Sequence, residues 1–420
     1  MAAASIFEQI LEYANRADPY SLYWELRKTP VVREADGSYV VSRYRDIVAL
    51  LHDPRVSSRN VHLRGFISKD PPEHDDVRRL IGRHYGPPTT PERIDRMRPE
   101  LLNIVTGLID RFTGRTEVDL VDDFAYPLPV TAICRLLGVP VEDEPRFHVW
   151  ADTMVEGIGP QADERARHQA DEAFVEMGEY VGTLIDAHRE MPGEDLLSAL
   201  VTDDSTWKAM SRTELESNAS LLLLAGHETT VNLITNGMLT LLRHPTMLDR
   251  IRQEPDFVIR TVEELLRYEP PVHFLLREAL DDIDIADTCI PAGATLHLAL
   301  ASGSRDPAHV HDPDRFDPDR HDLERVDVNP AESEHLGFGG GIHHCFGAPL
   351  ARAEAQIALT ELARRLDNPR LLTDPPPYRP NPALRGPRHL PIGFDRVRSG
   401  QEVRIPRGRE PAEDVVRQRG

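Results

Sequence analysis

Apolar residues recur with a helical period over most of this chain, and only short stretches fall to a period of two. Between about 74 and 270, Leu, Ile, Val and Ala return at three- and four-residue spacings among charged residues, which predicts a succession of amphipathic helices. Residues 20–54 read as helix, short hairpin and helix, with Tyr39, Val40 and Val41 as the strand after the Asp36-Gly37 turn. Pro270-Pro271 breaks the helical run. Residues 270–300 are then strand-like, and ATLHLAL reads as a half-buried strand. Residues 305–345 are irregular, one further helix follows Cys345, and a Pro-rich segment occupies 375–391. The expected fold class is mainly α with small peripheral β-sheets, in one domain over 1–394. A charged, weakly ordered tail is expected over 395–420.

Two places break these local rules. Leu215–Arg243 is the longest helical candidate, roughly 43 Å at 1.5 Å per residue, and His244-Pro245 ends it. Its middle, Ala225-Gly226-His227-Glu228-Thr229-Thr230, sets a glycine, a charge and two β-branched residues in an apolar rod. Glycine there costs about 1 kcal/mol relative to alanine, and a buried glutamate costs more unless solvated or paired. Either Glu228 lies on a wet face, or the departure is functional. The second place is Phe338-Gly339-Gly340-Gly341-Ile342-His343-His344-Cys345-Phe346-Gly347, just ahead of a helix-forming run. Glycines let the backbone approach a flat ligand, and such a turn aims N–H groups at one sulfur, favouring thiolate. A thiolate is a strong axial donor to an iron porphyrin. Judged alone, however, a cysteine among glycines is more often a small buried hydrophobe.

Composition narrows the field. Three cysteines in 420 residues build no disulfide framework, and Cys134 and Cys289 stand too far from Cys345 for the paired spacing of zinc ligands. A net charge of -21 argues against nucleic acid, whose phosphates need basic patches, and against an anionic membrane surface. The N-terminus lacks a basic n-region, and no apolar run approaches the roughly 20 residues that span a bilayer. A cytoplasmic monomer is expected.

The pattern F-G-x-G-x-H-x-C-x-G resembles the haem-binding loop of the cytochrome P450 family, and Ala225 to Thr229 resemble its A-G-x-[DE]-T motif. The likeness runs from DPYSLYWELR to LPIGF and implies the P450 fold, a triangular-prism helical domain enclosing haem b. It implies Cys345 as axial iron ligand, in a loop shaped by Phe338, Gly339 and Gly347. Ala225 and Gly226 would make room for dioxygen, Thr229 would hydrogen-bond the oxygen being activated, and Glu228 would link it to a water chain. His74, Arg78, Arg277 and His343 match the partners of the haem propionates. Glu264 and Arg267 match the family's E-x-x-R pair, and Arg320, in Phe316-Asp317-Pro318-Asp319-Arg320, its third member; all three are scaffolding.

For the substrate pocket the resemblance points to Val272, His273 and Phe274, with Val61 to Phe66, Gly157 to Gly159, Leu222 and the loop near Ala383-Leu384. The stretch between Arg55 and Phe66 is shorter than usual in bacterial relatives, which suggests either a less covered pocket or a lid supplied from elsewhere, such as 151–175. The implied activity is insertion of one oxygen atom of O2 into an apolar organic substrate. Electrons would come from an external ferredoxin and its reductase, with Arg79, Arg83, Arg352 and Arg364 as candidate contacts. Two alternatives stay open: a peroxide-driven or non-redox enzyme of the same fold, and a haem-binding sensor or carrier.

Overall fold

The computed structural model describes residues 4–59, 64–86, 91–157, 162–321 and 335–400. After α1 (Ile6–Leu11) and α2 (Tyr20–Leu26), the hairpin β1 (Val31–Arg33) and β2 (Tyr39–Val41) leads to α3 (Tyr44–His52) and β3 (Val56–Ser57). The helical body follows: α4 (Glu73–Tyr85), α5 (Pro91–Asp110), a short β4 (Glu117–Asp119), α6 (Pro127–Leu137), α7 (Glu144–Glu156) and α8 (Glu164–Glu190). It continues through α9 (Leu196–Thr202), α10 (Asp204–Ala209), α11 (Arg212–Ala225), α12 (Glu228–Arg243), α13 (Pro245–Gln253) and α14 (Phe257–Tyr268). Strands β5 (Leu275–Ala279), β6 (Ile283–Ile285), β7 (Thr288–Ile290) and β8 (Thr295–Leu298) precede α15 (Leu300–Gly303). Helix α16 (Ala348–Arg365) and strands β9 (Leu366–Asp367), β10 (Arg370–Leu371), β11 (Pro391–Gly393) and β12 (Arg396–Val397) close the described chain.

Helix α14 shows how the pattern becomes packing. Phe257, Val258, Thr261, Val262, Leu265 and Leu266 fall on one face and all are buried. Across that face runs α12, and the approach is close at Gly237: a Cβ there would stand 2.9 Å from Leu265 and 3.3 Å from Leu359 of α16. One glycine therefore sets α12 against both helices. The main core joins α4–α14 with α16, while a five-stranded sheet in the order β1-β2-β8-β5-β3 forms its own flank.

Three expectations need correction. The long helix is two: α11 is capped by the Ser211–Glu214 box and ends at Ala225, and α12 restarts at Glu228 after a break at Gly226-His227. Its first residue is Arg212, and α8 is the longer single helix at 27 residues. The break falls where glycine and two β-branched residues weaken the helix most. Phe274 meets Phe7 edge-on at 5.4 Å and joins an N-terminal cluster with Tyr23 and Val40. His273 is 1% exposed and bonds the Tyr23 hydroxyl at 2.8 Å. Both side chains thus serve the N-terminal packing, not a substrate wall; the Pro-Pro break fixed where the strand begins but not which way it faces. Finally, Arg396–Val397, expected in a loose tail, pair with β9. Residues 401–420 lie outside the described chain, as do 61–63 and 158–159 of the expected pocket wall.

Candidate active site

The cysteine loop is bent by two glycines in left-handed backbone conformation, Gly339 (φ 68°) and Gly341 (φ 63°). A Cβ on Gly341 would come within 2.0 Å of the Leu51 carbonyl, so this position admits no side chain. The Cys345 N–H donates to the Phe338 carbonyl at 2.9 Å and closes the loop. At its mouth the backbone N–H groups of Gly347 and Ala348 point at the sulfur, as the glycine pattern anticipated. Burial raises the thiol pKa, whereas these N–H groups and the cations Arg352 and Arg78 oppose the rise.

Around the loop the structure gathers nitrogen donors with few acceptors. His74 is 1% exposed, its ring 4.3 Å from that of His343. Its Nδ1 bonds Asp75, but its Nε2 and both ring nitrogens of His343 are buried without partners. Arg277, on β5, is 6% exposed and enters no ion pair among the described residues; its hydrogen bond goes to the Leu276 carbonyl. Burial lowers its pKa to about 10, with only Asp70 nearby in opposition. Arg78 donates to the His344 carbonyl at 2.7 Å. Buried donor nitrogens left without partners are costly. The two propionates of haem would satisfy them, so the donor set fits the group.

At the end of α11, Ala225 is exposed although Leu221 to Leu224 before it are buried. At the helix break the Thr229 hydroxyl donates to the Ala225 carbonyl at 2.9 Å. Glu228 does not lie on a wet face. It is 3% exposed, pairs with Arg379 at 2.8 Å and accepts from Asn232 at 3.3 Å. Burial pushes its carboxyl up to about 7, and Arg379 restrains the rise.

The scaffold is buried and saturated. Arg267 grips Glu264 through two bonds of 2.8 and 2.9 Å, both side chains being fully buried. Arg320 (3.1 Å), His321 (2.9 Å) and the Asp317 N–H (2.7 Å) complete the carboxylate. His321 was not singled out from the sequence, although it directly follows Arg320. Beside this cluster, Glu263 accepts two bonds from Arg352 and one from His335. The Arg352 guanidinium also covers the Phe338 ring at 4.6 Å. Arg352, one of the expected docking contacts, is thus bonded inside the fold and partly exposed.

A sequence model described as Cytochrome P450 matches residues 161–384. Over 410 residues the chain is 40% identical to the cytochrome P450 monooxygenase PikC of Streptomyces venezuelae, covering 91% of this chain and 92% of that protein. The chain belongs to the cytochrome P450 family. This P450 is also 34% identical to 6-deoxyerythronolide B hydroxylase of Saccharopolyspora erythraea, covering 90% of its own length and 96% of the relative. Its fold matches ligand-free CYP164A2 of Mycobacterium smegmatis with a TM-score of 0.82 and 37% identity, covering 93% and 99% of the two chains. It is a haem-dependent monooxygenase. No helix among its described residues is long and apolar enough to cross a membrane.

Other residues of the expected pocket wall have these surroundings. Leu222 is buried on α11, and Val272 is half-buried and bridges Leu384. Phe66 is fixed by its N–H to Asn218 at 2.8 Å. The 151–175 segment does reach the short loop: Arg64 lies 3.6 Å from Asp171 and over the Phe174 ring at 5.3 Å. Arg379 escaped the sequence reading altogether, because nothing local marks a loop arginine that folds back onto α12.

Proposed function

We propose that this monooxygenase hydroxylates an apolar secondary metabolite, a reaction in which Cys345 would hold the haem iron and Glu228 and Thr229 would manage protons. Haem held at Cys345 supplies the activation of dioxygen. The observation that carries the assignment is the set of unpartnered His74 and His343 nitrogens and the buried Arg277 without an ion pair among the described residues, near the loop whose N–H groups converge on Cys345. Arg78 and Arg277 bind propionate by charge and fork geometry, and His74 and His343 add single donors.

On the other wall, the helix break exposes the Ala225 side and fixes the Thr229 hydroxyl by its bond to the Ala225 carbonyl. That hydroxyl donates or accepts at a position the break has opened. Glu228, held near neutrality by burial against the pull of Arg379, both gives and regains a proton at physiological pH. Apolar Leu222 and half-buried Val272 exclude water from the substrate side. Electrons come from a ferredoxin and its reductase. Arg79 is the most open of the remaining candidate contacts, 58% exposed and paired only to Asp76, while Arg364 bonds Glu361 and Arg83 bonds Ser205. Relatives that include a polyketide biosynthesis cytochrome P450 of Bacillus subtilis and 6-deoxyerythronolide B hydroxylase support a secondary metabolite as substrate.

The test is spectroscopic and kinetic together. Cys345→Ser should lose the reduced, CO-bound Soret band of thiolate-ligated haem; retention of that band in the variant would reject the ligand. Glu228→Gln should slow reductant-driven turnover about 10²-fold, in line with loss of a positioned acid. Thr229→Ala should divert electrons to hydrogen peroxide, and full coupling in that variant would remove Thr229 from the mechanism.

A further inference from the structure

A buried acid that gives up protons must be resupplied from water, and Glu228 has no solvent face of its own. Behind it stands a cluster that the haem site does not use. Tyr126 directly precedes α6, His148 and Asp152 lie four residues apart on α7, and His227 occupies the break between α11 and α12. The Tyr126 ring stacks on His148 at 4.7 Å and meets His227 edge-on at 4.5 Å; the two imidazoles are 5.7 Å apart. The Tyr126 hydroxyl donates to the Asp152 carboxylate and lies 3.5 Å from the His148 carbonyl.

Burial is graded along this cluster. Asp152 is exposed, Tyr126 and His148 are half-buried, and His227 and Glu228 are closed off at 1% and 3%. Both ring nitrogens of His227 lack hydrogen-bond partners, although the Tyr126 carbonyl is near. The surrounding cavity wall is apolar, including Ile133, Phe147, Met154 and Leu223. Of this cluster only His227 lines that wall; its two ring nitrogens and the Nδ1 of His148 are buried without partners, and each such group costs about 1–3 kcal/mol. Such costs concentrate at working sites. Arg379 closes the far side of Glu228, and its loop is seated on α12: a Cβ at Gly386 would lie 2.0 Å from the Asn232 side chain.

We propose that Asp152 and Tyr126 form the outer limb of a proton path that resupplies Glu228, with His148 and His227 lining it. The proposal rests on the reading of Glu228 as proton donor. For each proton that Glu228 passes inward, its carboxylate regains one from the Tyr126 side, across bridging water where the gap exceeds a hydrogen bond. Tyr126 is restored by Asp152, and Asp152 by bulk water, so one proton crosses and no charge accumulates. Asp152 and Tyr126 also act electrostatically on each other and on Glu228, which supports continuity between the two ends.

The charged and titratable groups facing Glu228 are Arg379 and Arg388 from the C-terminal loop, Asp152 and His148 from α7, Tyr126, and His227. Haem-loaded Asp152→Asn and Tyr126→Phe, driven by a plant-type ferredoxin and its reductase, should each oxidise NADPH about tenfold more slowly, with a larger solvent deuterium isotope effect. Added acetate should restore Asp152→Asn, whose missing carboxylate is at the surface, and leave Glu228→Gln slow, because that site is closed. An infrared titration of the resting protein, taken as the difference from Glu228→Gln, should place the Glu228 carboxyl at lower pH in Asp152→Asn. If both outer variants keep rate and isotope effect within twofold while Glu228→Gln is slow, the path is wrong and the Glu228 assignment survives. If Glu228→Gln itself turns over normally, both fall.

Discussion

A single ion pair sets the working range of the buried acid. Desolvation holds Glu228 near 7, and Arg379 at 2.8 Å is the main group pulling it down. The donor form is populated below that value and is lost as pH rises through it. Removing the cation leaves burial unopposed, so the pKa must rise and the donor form must persist to higher pH. Arg379→Leu should therefore move the descending limb of the pH–rate profile upward by about one unit. A limb that stays in place, or moves down, would show that the ion pair does not govern this carboxyl. At this scale the sequence carried much: Cys345 and Glu228 stood out as residues that break local rules, whereas His343 and Arg277 were marked only by resemblance to the P450 family. Arg379, Tyr126 and His148 did not, since their meaning arises only when remote segments converge on the helix break.

Elements were legible where a periodic face or a breaker speaks, and illegible where a short strand must choose a side. The hairpin after Asp36-Gly37 and the helix after Cys345 follow from such signals. The break at Gly226-His227 was visible as a violated rule, yet it was not visible as two helices, because propensity alone does not say whether tertiary contacts bridge a weak point. His273 and Phe274 misled for the opposite reason: aromatic residues on a five-residue approach to a strand suit either face. The Glu264 cluster joins α14 to the Phe316–His321 segment, and its two fully buried charges tolerate little change. Arg267→Lys keeps the charge but loses the fork that serves Glu264 and three carbonyls. The expected cost is about 3–5 kcal/mol, read as a lower denaturant midpoint with unchanged slope. Burial pushes the Glu264 carboxyl upward, but the bonds from Arg267 and His321 outweigh it and bring it to about 2. Its stabilisation is thus complete above the ordinary glutamate range near 4.5 and is lost as pH falls toward 2. The variant should show a weaker loss of stability across that window than the parent.

Over the whole molecule, the ends of the chain are tied together at one carboxylate. Glu269, just past α14, accepts from Tyr20 at 3.0 Å and from Arg385, and pairs with Arg305 at 3.4 Å. Arg385 is 1% exposed and also donates to the Arg16 and Ala17 carbonyls at 2.8 Å. The N-terminal helices, the end of α14 and the Pro-rich 375–391 segment therefore share a single buried junction. None of its charges touches the cysteine loop, so damage here should separate stability from ligation. Arg385→Met leaves Glu269 with Arg305 as its remaining cation and should cost about 3–5 kcal/mol. Hydrogen exchange should quicken first in α1, α2 and residues 375–391, while the CO-bound spectrum keeps its thiolate position. Uniform quickening across α12 and α16 as well would mean that the junction supports the global fold and not the closure of the chain ends.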